Sequence, residues 1–197
     1  MRGIIGSGTW QTYTWKNDLH LQSSRVAVSF AEYMDEEYSG AHVPFHMLER
    51  AFVLCGFIMR RMMETRVVTD KLREREIEVR CLAKAADEPF FKPWVSNTGP
   101  REFRQYAMEA PELVKMTIRE FGNEIIHASQ LAIAYDFEQF DDGILIASDW
   151  HYKKRLLHVT PAEFQAIVDL VLNDEITSMR DAYDGDPADG KITCIRE

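Results

Sequence analysis

The feature that most constrains the fold is a long apolar stripe between residues 44 and 65. Large apolar side chains recur there at helical spacing: Phe45, Leu48, Phe52, Cys55, Met59 and Met62. This spacing predicts a helix from Pro44 to about Thr65, with the proline well placed in the first turn. Because Ala51 and Ile58 widen the stripe, we expect neighbouring elements to cover this helix on two sides.

Other segments carry helical or alternating patterns. Apolar periodicity predicts one helix over residues 16–38, and Pro111 is expected to open another that ends near Ser129. The sequence Thr160-Pro-Ala-Glu163 is a capping box, which predicts a helix over residues 161–173. Alternation of polar and apolar residues predicts strands over 76–82, 131–138, 144–149 and 156–159.

These elements together predict an α+β domain, a bundle of about four helices packed with a small, mainly antiparallel sheet. The length of 197 residues suits one domain with a substantial core. We expect residues 1–176 to form that domain and residues 177–197 to form a polar, loosely ordered tail. The long connection over residues 84–110 is rich in proline and is expected to be functional or mobile.

Composition excludes some classes of protein. Hydrophobic residues make up 46% of the chain and charged residues 28%, as in ordinary globular domains and unlike disordered or membrane proteins. No signal peptide is recognisable at the amino end, so we expect a cytoplasmic protein. The net charge of −9 disfavours bulk coating of nucleic acid. A local anion site is an open alternative, because Arg60, Arg61, Arg66, Lys71, Arg73 and Arg75 lie close together in sequence, but we favour alternating solvated charge as their explanation.

Cysteine and metal-ligand spacing point to neither a disulfide framework nor a cofactor. Three widely spaced cysteines, Cys55, Cys81 and Cys194, are expected to be reduced thiols. His42 and His46 are spaced superficially like zinc ligands, but the proline at position 44 places His42 before the first helical turn. A calcium loop is also disfavoured, because no glutamate closes the run of aspartates after residue 184. We therefore expect no metal and no cofactor.

The group of residues best suited to catalysis is Arg119, Asn123 and His127. These residues recur every four positions on the predicted helix, opposite the apolar positions Phe121 and Ile125. An arginine can hold a phosphate in a fork, an imidazole can exchange protons near neutral pH, and an amide can orient either group. The three side chains are therefore the candidate catalytic residues.

The string Arg119-x-x-Gly122-Asn123-x-x-x-His127, on a late helix after two long apolar helices, resembles the motif-bearing helix of the HEPN-like superfamily. These are small helical proteins common in toxin-antitoxin and antiviral defence systems. The resemblance implies a metal-independent endoribonuclease that dimerises so that an Arg and a His from each copy meet in a cleft, or an inactive relative of such an enzyme. It also implies RNA as a partner.

A second interpretation from another class stays open. The same Arg119-Asn123-His127 ridge suits a non-enzymatic interaction or scaffold protein in which it binds a protein partner or a second copy of the chain. Under either interpretation we expect a homodimer, because the broad apolar helices offer more hydrophobic surface than a small domain usually covers alone.

Overall fold

The computed structural model describes residues 12–35, 42–85, 105–184 and 191–197. In these ranges the helices are α1 (Thr12–Met34), α2 (His42–Glu64), α3 (Asp70–Glu74), α4 (Ile118–Ile126) and α5 (Pro161–Leu172). The strands are β1 (Glu76–Ala83), β2 (Glu112–Thr117), β3 (Ala128–Ala134), β4 (Gly143–Ser148), β5 (Arg155–Val159), β6 (Met179–Asp184) and β7 (Lys191–Arg196).

Three of the four predicted helices are confirmed within about one turn of their expected bounds. Helix α1 begins earlier than the periodicity indicated, so Tyr13 and Trp15 belong to it. Helix α2 carries the broad apolar stripe and packs against both α1 and α4, as the width of that stripe required. Helix α5 begins at the capping box, where Glu163 N donates to Thr160 Oγ1 and Thr160 N donates to Glu163 Oε2.

The prediction of a helical bundle with a small sheet is wrong, although the α+β class holds. Strands β1 to β5 form one antiparallel sheet in the order β2-β1-β5-β4-β3. The error arose at Pro111, which precedes a strand and not a helix. In β2 the side chains alternate, with Leu113 and Lys115 exposed and Met116 buried. This alternation adds an edge strand, and the helix begins seven residues after Pro111, at Ile118.

The sheet is covered on both faces, as the complete burial of β4 shows. Because side chains alternate along a strand, Ile144 and Ile146 face the helices while Leu145 and Ala147 face the other side. The larger core lies between the helices and the sheet and includes the ring cluster Phe52, Phe121 and Phe164. A smaller core on the opposite face includes Leu82, Tyr106, Phe140, Tyr152 and Leu156.

Helices α2 and α4 approach each other closely at two glycines. A Cβ at Gly122 would lie 2.9 Å from the carbonyl oxygen of Gly56, and a Cβ at Gly56 would lie 2.7 Å from Cγ2 of Ile125. Neither position has room for a side chain, since atoms do not pack at such distances. Gly122, which lies inside the Arg-Gly-Asn-His string, therefore fixes the packing of α4 on α2.

The segment predicted to be a loose tail contains a hairpin in its described part. Strands β6 and β7 pair with each other over Met179 to Arg196. The backbone N–H of Arg196 donates to Asp70 Oδ2 at 3.0 Å, which ties this end of the chain to α3. Most of the long connection after β1, residues 86–104, lies outside the described residues, as do residues 185–190.

Candidate functional site

The predicted site helix α4 is short and fixed at both ends. Thr117 caps its start by accepting a hydrogen bond from Glu120 N at 3.2 Å, while Glu120 Oε2 accepts from Thr117 N at 2.7 Å. These hydrogen bonds from the backbone and side chain of Thr117 hold the pKa of Glu120 below its ordinary value. At the other end His127 is the C-cap, where its N–H donates to the carbonyl of Asn123 at 3.0 Å.

The three predicted site residues occupy different environments. Arg119 is exposed on the first turn of α4. Asn123 is half-buried in the middle of the helix and lines a cleft. His127 lies past the last helical residue, where its ring contacts the ring of Trp150 with centroids 4.0 Å apart and planes at 31°. Asn123 therefore lines the cleft itself, whereas His127 contacts a residue that lines it, Trp150.

The central side chain of the site is Glu124, which the sequence did not single out. Its carboxylate is buried at 4% exposure and accepts a short hydrogen bond from the hydroxyl of Ser148. Arg155 Nη2 donates to Glu124 Oε1 at 2.7 Å. His151 Nδ1 lies 2.6 Å from the same oxygen, an ion-pair contact by distance whose angle is not that of an aligned hydrogen bond.

This cluster forms one wall of an open cleft of about 300 Å³. Four parts of the fold meet there: β2, α4, the turn that joins β4 to β5, and the start of β5. The lining residues are Lys115, Met116, Glu120, Asn123, Glu124, Trp150, His151 and Arg155. Two cations, two carboxylates and one imidazole therefore share a small, solvent-connected space.

Two buried polar atoms at the cleft wall, in addition to Nδ1 of His151, are without hydrogen-bond partners in the described structure. They are Oδ1 of Asn123 and Nε of Arg155. Most buried polar atoms in proteins are paired, so an unpaired acceptor and an unpaired donor next to one cleft call for an explanation. A polar ligand that shifts either side chain slightly would supply the missing partners.

The thiol nearest the cluster is not set up as a nucleophile. Burial raises the pKa of Cys81, and although Arg155 acts to lower it, Glu112 and Glu124 act with burial to raise it. Burial likewise raises the pKa of Cys55 to about 12. Both are free thiols, as the sequence predicted, and both stay protonated at neutral pH. The side chain of Cys194 lies outside the described part of the structure.

A second ionic cluster lies on the opposite face of the sheet. Arg80 Nη1 lies 2.7 Å from His158 Nδ1, and Arg80 Nη2 donates to Glu163 Oε1 at 2.9 Å. His158 is completely buried. Burial, and then the charge of Arg80, lowers the pKa of His158 to about 4, against the opposing effects of Glu163 and Asp141. Since Arg80 can only donate, Nδ1 is the acceptor and the neutral ring carries its hydrogen on Nε2.

Of the cleft residues that the sequence did not predict, Glu124 alone has a recognisable signal in the sequence. Glu124 lies beside the apolar stripe of α4, three residues after Phe121 and one before Ile125, and a carboxylate on the core side of a helix needs a buried cation. His151 belongs to a polar turn and Arg155 begins β5, and nothing local in the sequence indicates that either side chain reaches α4.

No protein-family model, curated protein or solved structure matches this chain. Within the described ranges, no helix is long and apolar enough to cross a membrane. The same ranges contain no group of three His, Cys, Asp or Glu side chains arranged to hold a metal ion.

Proposed function

We propose that the chain is an endoribonuclease that needs no metal, and that its active site is the cleft beside Glu124. The observation that carries the proposal is the double contact at Glu124 Oε1, with His151 Nδ1 at 2.6 Å and Arg155 Nη2 at 2.7 Å on the wall of an open cleft. The contact at Nδ1 leaves the other ring nitrogen of His151 available to exchange protons with a ligand, and a small rotation of the ring would align Nδ1 with the carboxylate.

RNA suits this set of groups because it carries its own nucleophile. His151, which keeps 36% of its side chain exposed, takes the proton from a 2′-hydroxyl, and the freed oxygen attacks the adjacent phosphorus. The bond from phosphorus to the 5′ oxygen breaks, and that oxygen leaves with a proton from water. The products are a 2′,3′-cyclic phosphate and a 5′-hydroxyl end. Arg155 and Lys115 stabilise the negative charge that builds on the phosphate oxygens.

The predicted residues Arg119, Asn123 and His127 keep roles in this proposal. Asn123 orients the phosphate from the cleft wall, and the exposed Arg119 binds phosphates outside it. Two histidines, His127 and His151, are candidates for the residue that transfers the proton. We favour His151, because His151 lines the cleft and contacts the buried carboxylate, whereas the ring of His127 packs against Trp150.

The second candidate is the interaction or scaffold protein. The observation that favours it is the exposure of Arg119 together with Trp150, two residue types that dominate binding energy at protein interfaces. Under this reading the Glu124 cluster has a purely structural role and holds the β4–β5 turn against α4.

We further propose a homodimer that acts in the cytosol, in the defence setting that the HEPN resemblance implies. The surface that supports a dimer is on α1, where Leu21 and Val28 are exposed one above the other on the side away from the buried Leu19 and Val26. Light scattering tests the assembly: a dimer mass supports it, and a monomer mass at micromolar concentration contradicts it.

The activity is tested with structured RNA in the presence of a chelator. We expect the wild type to cut the RNA, and we expect His151→Ala to lower the cleavage rate by about a hundredfold or more, because general acid-base groups contribute that much. The melting temperature should change little, since His151 is partly exposed.

Two further variants make the assay specific. His127→Ala separates the two histidines: a loss as large as that of His151→Ala would move proton transfer to His127. His20→Ala, at an exposed histidine on α1, is the matched control and should cut like the wild type. A wild type that never cuts RNA contradicts the ribonuclease and leaves the scaffold.

A further inference from the structure

The aromatic side chain at the rim of the cleft is unusual in its exposure. Trp150 keeps 57% of its surface open, although tryptophan is among the side chains that gain most from burial. It lies in the turn between β4 and β5, next to His151, and lines the same cleft as Arg155 and Lys115. An exposed indole beside polar, charged groups offers a ring face on which a flat ligand can stack.

The position of the indole is held by His127. The two rings are 4.0 Å apart at 31°, and the backbone carbonyl of His127 accepts a hydrogen bond from Asp149 N at 2.9 Å, one residue before Trp150. One side of the indole is therefore braced against the C-terminal end of α4. A ring fixed in this way loses little conformational entropy when a ligand stacks on it.

We infer that Trp150 is a stacking platform for one unpaired base of single-stranded RNA, next to the phosphate that the cleft cuts. The inference rests on the proposed function and names its substrate class. Stacking on an aromatic ring needs a base whose face is open, and in a duplex both faces are covered by neighbouring bases. The platform therefore selects single strands, loops or bulges over paired RNA.

Charge in the cleft supports stacking as the main source of affinity. Lys115 and Arg155 are offset by Glu120 and Glu124 among the lining residues, and the whole chain carries a net charge of −9. Three phosphate contacts to a single strand, from Lys115, Arg155 and the exposed Arg119, predict a slope of about −2.1 for the logarithm of the binding constant against the logarithm of salt concentration. Binding should thus depend only weakly on salt.

The test separates binding from cleavage by using a fluorescent 2′-O-methyl RNA, in which the attacking hydroxyl is blocked. Its affinity is measured by anisotropy, as a single strand and annealed to its complement. We expect the wild type to prefer the single strand, Trp150→Ala to weaken single-strand binding about tenfold, and Trp150→Phe to retain most of the affinity. Tyr135→Ala removes an equally exposed aromatic ring away from the cleft and should bind like the wild type.

Each outcome decides between the two proposals. Trp150→Ala binding that equals the wild type, a duplex bound as tightly as the single strand, or no binding at all overturns the platform. Trp150-dependent binding by a wild type that fails to cut unmodified RNA keeps the platform and removes the ribonuclease. Cleavage that is unaffected by Trp150→Ala, with no stacking contribution to binding, keeps the ribonuclease and removes the platform.

Discussion

Two clusters on opposite faces of the sheet are built from the same three side-chain types, and they differ in which member is buried. On the helix side the buried member is the carboxylate Glu124, contacted by Arg155 and His151, which both keep part of their surface in solvent. On the other side the buried member is the imidazole of His158, contacted by Arg80, which in turn pairs with Glu163.

The consequence for chemistry is opposite in the two clusters. His158 is sealed: a side chain at Gly143 would collide with its ring, and its pKa of about 4 keeps it neutral at physiological pH. His151 instead lies at an open cleft with a carboxylate behind it. A histidine at an open cleft can meet a ligand, whereas a fully buried histidine cannot, and this contrast supports our proposal of an active site beside Glu124.

The largest expected effect is on the stability of the helix-side cluster. Glu124→Ala leaves Arg155 and His151 without their shared anion and leaves the hydroxyl of Ser148 unpaired. Breaking a fully buried pair costs roughly 3–5 kcal/mol, and because Arg155 keeps 28% of its side chain exposed, we expect about 3 kcal/mol. Urea unfolding measures the loss.

The matched control for this loss is Glu64→Ala. Glu64 also accepts from an arginine, Arg60, but at the surface of α2, where such a pair contributes about 0.5 kcal/mol or less. If the two variants are equally stable, Glu124 is not an anchor, and the contrast between the clusters loses its structural basis.

The cluster around His158 should make the folded protein less stable as the pH falls. His158 is neutral in the folded protein, while in the unfolded chain it binds a proton near its ordinary pKa of 6.5. Its folded pKa is depressed, so its contribution is fully present above about pH 6.5 and is lost as the pH falls toward about 4. Between about pH 7 and pH 5 we expect the free energy of unfolding to fall by about 2 kcal/mol through this residue.

The measurement for the acid effect is urea unfolding at a series of pH values, with His158→Gln as the comparison. The variant should lose the His158 part of the pH dependence above pH 5. The depressed pKa of Glu163 adds acid sensitivity at lower pH: burial acts to raise it, but hydrogen bonds from Thr160 and Arg80 lower it by more. Equal slopes for wild type and variant would show that His158 is not held neutral by the fold.

The sequence predicted elements whose signals are local. The apolar stripe of α2 and the capping box Thr160–Glu163 each lie within one element, and both elements formed as expected. The strand β2 was missed although its signals are equally local. Thr117 and Glu120 form a second capping box, which marks the true start of α4, whereas the predicted start rested on the proline at position 111 alone.

The site was less predictable than the fold because its contacts are not local. Asn123 was predicted from its place off the apolar stripe of α4, and it lines the cleft. The partners of Glu124 lie 24 residues away at Ser148 and 31 residues away at Arg155, on two strands whose distance from α4 depends on the order of the sheet. No spacing in the sequence encodes that order, so a cluster joined across it cannot be read from periodicity.

The smallest expected effect tests how far Arg80 contributes to the sealed cluster. Burial is the larger cause of the low pKa of His158, and the charge of Arg80 is the second. Arg80→Met should therefore raise the pKa of His158 above about 4 and still leave it below 6.5, as followed by the NMR shift of the ring proton with pH.

Because the folded and unfolded pKa values then lie closer together, the variant should lose less stability in acid than the wild type. At neutral pH the cost should be about 1 to 2 kcal/mol, because the buried Nδ1 of His158 loses its donor, while Glu163 keeps its hydrogen bond from Thr160 N and is partly exposed. An unchanged pKa would mean that burial alone sets the state of His158, and that this cluster, unlike the one at Glu124, does not depend on its arginine.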